Sequence, residues 1–113
     1  MNRQDVSRLD DIVQAIDAIR GHLTKGDLGQ GLVYDAVRVR LIEIGEAVKG
    51  LSPDLLDTEP SIPWSAIARM RDHLAHRYFD TDHAIVQDVV DNELEPLLLA
   101  VRSMAGRAGP SST

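Results

Sequence analysis

Apolar residues recur every three or four positions along most of the chain, and no segment alternates with the period of two expected of a half-buried strand. The pattern predicts helices throughout. A first helix over about Asp5 to Leu23 gathers Val6, Leu9, Val13, Ile16, Ile19 and Leu23 on one face. After a loop rich in Gly, Lys and Asp, a second helix over about Leu32 to Lys49 carries Val33, Val37, Leu41, Ile44 and Val48 on one stripe. Gly50 is placed to end it, because glycine accepts the left-handed cap conformation. Ser52-Pro53-Asp54 reads as a cap followed by a proline at the first helical position, so Pro53 to Asp57 is expected to form a single turn.

Pro63 can open a third long helix running to about Tyr78. Asp80, Thr81 and Asp82 then supply caps for a last helix, from about Asp82 to Met104. Pro96 lies inside that last helix, where it removes one backbone hydrogen bond and should kink the helix or divide it in two. The expected fold is therefore all-α, an antiparallel bundle of four long helices plus a short helical turn. With 113 residues, 43% of them hydrophobic, the chain is one domain over residues 1–105. A chain of this size hides roughly two thirds of its unfolded surface. The small and polar tail, Gly106 to Thr113, is expected to be disordered.

Composition changes the picture mainly by exclusion. There is no cysteine, which removes disulfides, thiolate metal sites and thiol nucleophiles, and which suits a cytoplasmic location. The opening residues lack the apolar core of a signal peptide, and the longest apolar run, Leu97 to Val101, is too short to span a bilayer. A formal net charge of −6 argues against broad coating of nucleic acid, so any contact with phosphate must be local.

One segment is locally basic. From Ser65 to Phe79 the arginines Arg69, Arg71 and Arg77 face a single acid, Asp72, with His73 and His76 beside them. On a wheel of about 100° per residue, Trp64, Ile67, Ala68, Leu74, Ala75 and Tyr78 share one face, and Arg71 projects from its middle. A charge is seldom buried without a partner, so Arg71 is paired, interfacial or kept for function. Structural pairing is the commoner reason. Arg40 falls in the stripe of the second helix and can join Arg71 or be paired by Glu43. Trp64 and Tyr78 are most simply core or interface aromatics with a polar tip.

Asp72 and His76, four residues apart, lie one above the other, so Asp72 can orient the imidazole. An imidazole titrates near neutrality and can take a proton from a ribose 2′-hydroxyl or give one to a leaving oxygen. A guanidinium can stabilise the added negative charge on five-coordinate phosphorus. Arg71 and His76 thus suffice for RNA cleavage without metal, leaving a 2′,3′-cyclic phosphate and a 5′-hydroxyl. His73, His76 and His83 raise the question of a metal site, but no second carboxylate-rich helix presents a matching pattern. Neither metal nor cofactor is expected.

At these residues the chain resembles a known family. The stretch from Arg40 to Pro53 containing Gly45-Glu46-Ala47, then Ile62-Pro63-Trp64, then Met70 to Phe79, is similar to the HepT-like toxins with a HEPN domain. The defining motif is arginine, four residues, histidine, one residue, tyrosine, met by Arg71, His76 and Tyr78. The resemblance covers roughly Asp35 to Leu98. It implies a HEPN-like bundle that forms a homodimer across the motif helices and cleaves RNA at a composite site. It also implies the toxin role in a type VII-like toxin–antitoxin pair, with a MntA-type nucleotidyltransferase antitoxin that silences the toxin by transferring AMP to Tyr78. Two departures stand out: Asp72 occupies a position that is commonly asparagine in the family, and Arg77 one that is often small. The competing reading is a non-catalytic helical subunit that binds a nucleotidyltransferase and positions its substrate.

Overall fold

The computed structural model describes residues 1–76 and 79–108, and among the described residues every regular element is helical. The elements are α1 (Arg3–Leu23), α2 (Gly31–Lys49), the single turn α3 (Pro53–Leu56), α4 (Trp64–Ala75), α5 (Phe79–Asp88), a π-helical turn (Val89–Glu93) and α6 (Leu94–Ala108). The all-α expectation holds. No helix among the described residues is long and apolar enough to cross a membrane.

The long helices run antiparallel, as their cross-links show. Asp5, at the start of α1, accepts from both the amide (2.9 Å) and the hydroxyl (2.6 Å) of Ser52, just past the end of α2. Arg20, near the end of α1, pairs with Glu95 at the start of α6. On the other side of α2, Arg38 donates to the Leu74 carbonyl while Glu46 reaches back to Arg71.

The core is built from Leu9, Ile12, Ile16 and Ile19 of α1, Val37, Leu41, Ile44 and Val48 of α2, Leu74 of α4, Val86 of α5, and Leu98, Val101 and Met104 of α6. All five stripe positions expected on α2 are buried. The face expected on α1 is rotated. Ile12 and Ala15 are buried while Val6 is exposed, because α1 packs against both α2 and α6.

Several local expectations are corrected. Gly50 does not take the left-handed cap conformation, since its φ is −88°. A Cβ there would instead lie 2.7 Å from the Arg8 Nε, so the glycine leaves room for a side chain. Ser52 stands at the cap position of α3 but makes no cap with its side chain, which is committed to Asp5. The third long helix stops at Ala75, short of Tyr78, and Arg77 and Tyr78 lie outside the described residues. Residues 80–82 fall inside α5 and not before it. Asp82 is buried rather than capping and sits 3.3 Å from the His73 Nε2.

The division expected at Pro96 occurs just ahead of it. Proline removes one amide and its ring presses on the carbonyl four residues earlier, here Asn92, inside the π turn. The Leu94 amide accordingly bonds five residues back, to Val89. At the end of the chain α6 continues through Ala108, so Gly106 and Arg107 are helical and not part of a disordered tail. Arg107 anchors this last turn by bonding Ser103 and Thr58 and pairing with Glu59 at 3.0 Å.

The Asp5–Ser52 link makes stability depend on acid. Burial pushes the Asp5 carboxyl up, but the hydrogen bonds from the Ser52 hydroxyl and amide outweigh it and leave the group below its ordinary value of 3.8. A depressed folded value adds stability above the unfolded value, and that stability is lost as pH falls through the folded one. In urea titrations the wild type should be more stable than Asp5→Asn at pH 6. The difference should shrink below about pH 4, and a difference independent of pH would refute the assignment.

Candidate active site

The site grows from the contact between α2 and α4. Gly45 sits where α4 crosses α2, and a Cβ built there would lie 2.5 Å from the Arg71 Cβ and 3.1 Å from the Ile67 carbonyl oxygen. The missing side chain lets α4 lie against α2, with Arg71 directly over the contact. The buried face of α4 is Trp64, Ile67, Met70 and Leu74. Arg71 is therefore not at the middle of the apolar stripe, as the wheel suggested, but about 45° from its centre. Ala75, expected on the buried face, is exposed, and Met70 takes the inward position. Trp64 is 8% exposed and its Nε1 donates to the Glu59 carbonyl at 3.0 Å. It belongs to the core.

Arg71 is the paired charge that its position demanded. Its Nε lies 2.9 Å from Glu46 of α2 and its Nη1 3.1 Å from Asp72, with the side chain 38% exposed. Asp72 does not use its carboxylate on His76. That carboxylate faces Lys49 (3.0 Å) and Arg71, and the hydrogen bond from Lys49, followed by that from Arg71, holds it below the usual carboxylate range. Lys49 thus offsets the extra negative charge that Asp72 brings to the site.

It is the Asp72 backbone carbonyl that meets His76, at 2.5 Å from Nδ1. His76 is the C-cap residue of α4 in the right-handed helical region, exposed, and its ring takes up one of the carbonyls that a helix end leaves without an amide. A carbonyl only accepts, so Nδ1 carries the proton, and in the neutral ring the basic lone pair resides on Nε2. Arg71 lies in the C-terminal half of α4 and His76 caps it, while Tyr78, the expected modification site, lies outside the described residues.

Arg40 does not join Arg71. It pairs with Glu43 at 2.9 and 3.3 Å, in a cleft of about 530 Å³ between α1 and α2 that Arg8, Asp11 and Glu46 also line. The three histidines considered for metal go separate ways. His73 meets Asp82, His76 meets the Asp72 carbonyl, and His83 stacks on Tyr34 with centroids 5.1 Å apart while its Nε2 approaches the Leu28 carbonyl at 3.1 Å. Burial, aided by the charge of Asp82, pushes the Tyr34 phenol up. These contacts tie α5 to α2 and α4.

Gly45, Glu46 and Lys49 were not singled out from the sequence as site residues. The available signal was a glycine in mid-helix, which costs about 1 kcal/mol relative to alanine and so asks for a packing reason.

The family described as Ribonuclease HepT-like matches residues 9–104, which include Glu46, Lys49 and the whole of α4. The chain belongs to the HepT-like family. Among curated relatives, "Probable ribonuclease HepT" of Thermococcus cleftensis is 33% identical over 102 residues, covering 86% of this chain and 92% of that protein. "Putative RNase TTE0752" of Caldanaerobacter subterraneus subsp. tengcongensis is 37% identical over 90 residues, covering 79% and 80%. "Putative RNase MJ0127" of Methanocaldococcus jannaschii is 44% identical over 57 residues, covering 50% of this chain and only 47% of that protein. No solved structure matches the chain. In this HepT-like chain, Gly45-Glu46-Ala47 has a physical sense: Gly45 admits α4, Glu46 takes Arg71, and Ala47 is buried in the core.

Proposed function

We propose that this HepT-like chain is a metal-independent endoribonuclease, the toxin of a toxin–antitoxin pair, with Arg71 and His76 as its catalytic residues. The observation that supports the reading is that contacts on α4 and α2 hold both side chains. Arg71 offers a guanidinium held at its Nε, and His76 a ring whose Nδ1 proton is fixed by the Asp72 carbonyl. His76 Nε2 takes the proton of the 2′-hydroxyl, whose oxygen attacks the adjacent phosphorus. The bond to the 5′ oxygen breaks, that oxygen takes a proton from the imidazolium, and a 2′,3′-cyclic phosphate remains. Arg71 offsets the charge that accumulates on the phosphoryl oxygens.

The working form is a homodimer acting on cytoplasmic RNA, in which a two-fold copy brings the exposed edge of α4 with Arg71, Ala75 and His76 against its equivalent. The partner is a MntA-type nucleotidyltransferase that places AMP on Tyr78, two residues from His76. A phosphate added there competes for Arg71.

A second reading is favoured by the two carboxylates on Arg71, which neutralise it: a non-catalytic subunit that positions a nucleotidyltransferase's substrate. The deciding experiment is a cleavage assay of the purified protein in EDTA on a short single-stranded RNA and on the same strand with one 2′-deoxynucleotide. Cleavage of the first, with a cyclic phosphate end and none at the deoxy position, supports the enzyme. No cleavage by protein expressed without a transferase supports the subunit. After co-expression with the transferase, an AMP mass increment on Tyr78 should accompany silencing.

A further inference from the structure

We infer that Glu46 is the positioning residue for Arg71, an inference that rests on the ribonuclease reading above. Three observations lead there. Gly45 brings the Arg71 Cβ onto α2, so the rest of the side chain must run past the next residue of that helix, and the Glu46 carboxylate forms an ion pair with it, 2.9 Å from Nε and off the N–H axis. The nearby acids have other cations, Glu43 holding Arg40 and Asp72 holding Lys49, whereas among the described residues the cation that Glu46 pairs with is Arg71.

The two acids grip different parts of the guanidinium. Glu46 holds Nε, the inner corner of a rigid plane, and Asp72 holds the terminal Nη1. An incoming phosphate competes for the terminal nitrogens. Asp72 can yield because Lys49 keeps it paired, while Glu46 retains Nε and with it the orientation of the plane. Glu46 therefore does its work while the phosphate is bound. An ion pair this exposed, with side-chain accessibilities of 38% and 55%, contributes little to folding. Its effect should appear in turnover, where a misplacement of about 1 Å can cost on the order of 10²-fold.

The test is steady-state RNA cleavage by the purified full chain carrying Glu46→Ala, Glu46→Gln or Arg71→Ala. Glu46→Ala should lower kcat about tenfold or more with KM changed by less than about threefold, and the thermal midpoint should stay near the wild-type value. Glu46→Gln should keep more activity than Glu46→Ala, since an amide oxygen of the same reach leaves a polar atom against the guanidinium. The inference is overturned if Arg71→Ala is inactive while Glu46→Ala keeps kcat within about twofold of wild type. It is overturned equally if Glu46→Gln falls as far as Glu46→Ala while both lower KM, because Glu46 then acts only as a charge opposing RNA. Cleavage that survives Arg71→Ala refutes the assignment of Arg71 itself, a result separate from either.

Discussion

His76→Ala should lose RNA cleavage by about 10²-fold to 10⁴-fold, the range for removing a general acid–base group. Arg71→Ala should lose about 10²-fold to 10³-fold, or roughly 3 to 4 kcal/mol, comparable to deleting a preorganised donor to a developing oxyanion. Neither change should disturb the fold much. His76 is exposed at the end of α4, and the half-exposed ion pairs of Arg71 are worth about 0 to 1 kcal/mol. Helicity by circular dichroism and the urea midpoint should therefore stay near wild type while the cleavage rate collapses. The losses should not add, because both groups act on one phosphoryl transfer, and the double variant should resemble the weaker single one. Wild-type rates in either variant would refute the site.

The apolar pattern was most legible on α2. On α2 the apolar stripe from Val33 to Val48 is inward as read, between α1 on one side and α4 on the other. On α1 the same reasoning missed Ile12 and put Val6 inward, because the contact with α6 turns the buried arc away from Val6 and periodicity alone does not give that direction. On α4 it placed Arg71 too deep. The wheel weighted Ala75, which is exposed at the last position of α4, and overlooked Met70, which is buried. What periodicity could show was that Arg71 needed a partner. What it could not show was which one, since Glu46 lies 25 residues away in the chain and is brought near only when Gly45 lets the two helices touch.

The local chemistry was legible in part for the same reason. The spacing of Asp72 and His76 did bring them into contact, but through the Asp72 carbonyl. A helix end leaves carbonyls without amides, so the imidazole found a backbone acceptor closer than a carboxylate already drawn to Lys49 and Arg71. His76 is thus oriented by the act of ending α4. The orientation of the ring therefore depends on where the helix stops.

The same contact makes Gly45 the substitution with the greatest expected structural effect. Gly45→Ala gains about 1 kcal/mol from helix propensity, since alanine loses less backbone freedom than glycine. Against this, the new Cβ stands 2.5 Å from the Arg71 Cβ and 3.3 Å from its Cα. Neither atom is the far end of a flexible side chain, so the conflict can be relieved only by moving α4 off α2. Overpacking of this kind costs typically about 1 to 3 kcal/mol, and the larger Gly45→Val should cost more. Clash should exceed propensity, and Gly45→Ala should be destabilised in urea. Gly21→Ala is the control: it lies in α1, nothing stands within 4 Å of its Cβ, and it should gain stability by up to about 1 kcal/mol. Displacing α4 also carries Arg71 away from Glu46, so Gly45→Ala should lose cleavage even where it remains folded. A Gly45→Ala protein as stable and as active as wild type would mean that the two helices are not packed as closely as the site requires.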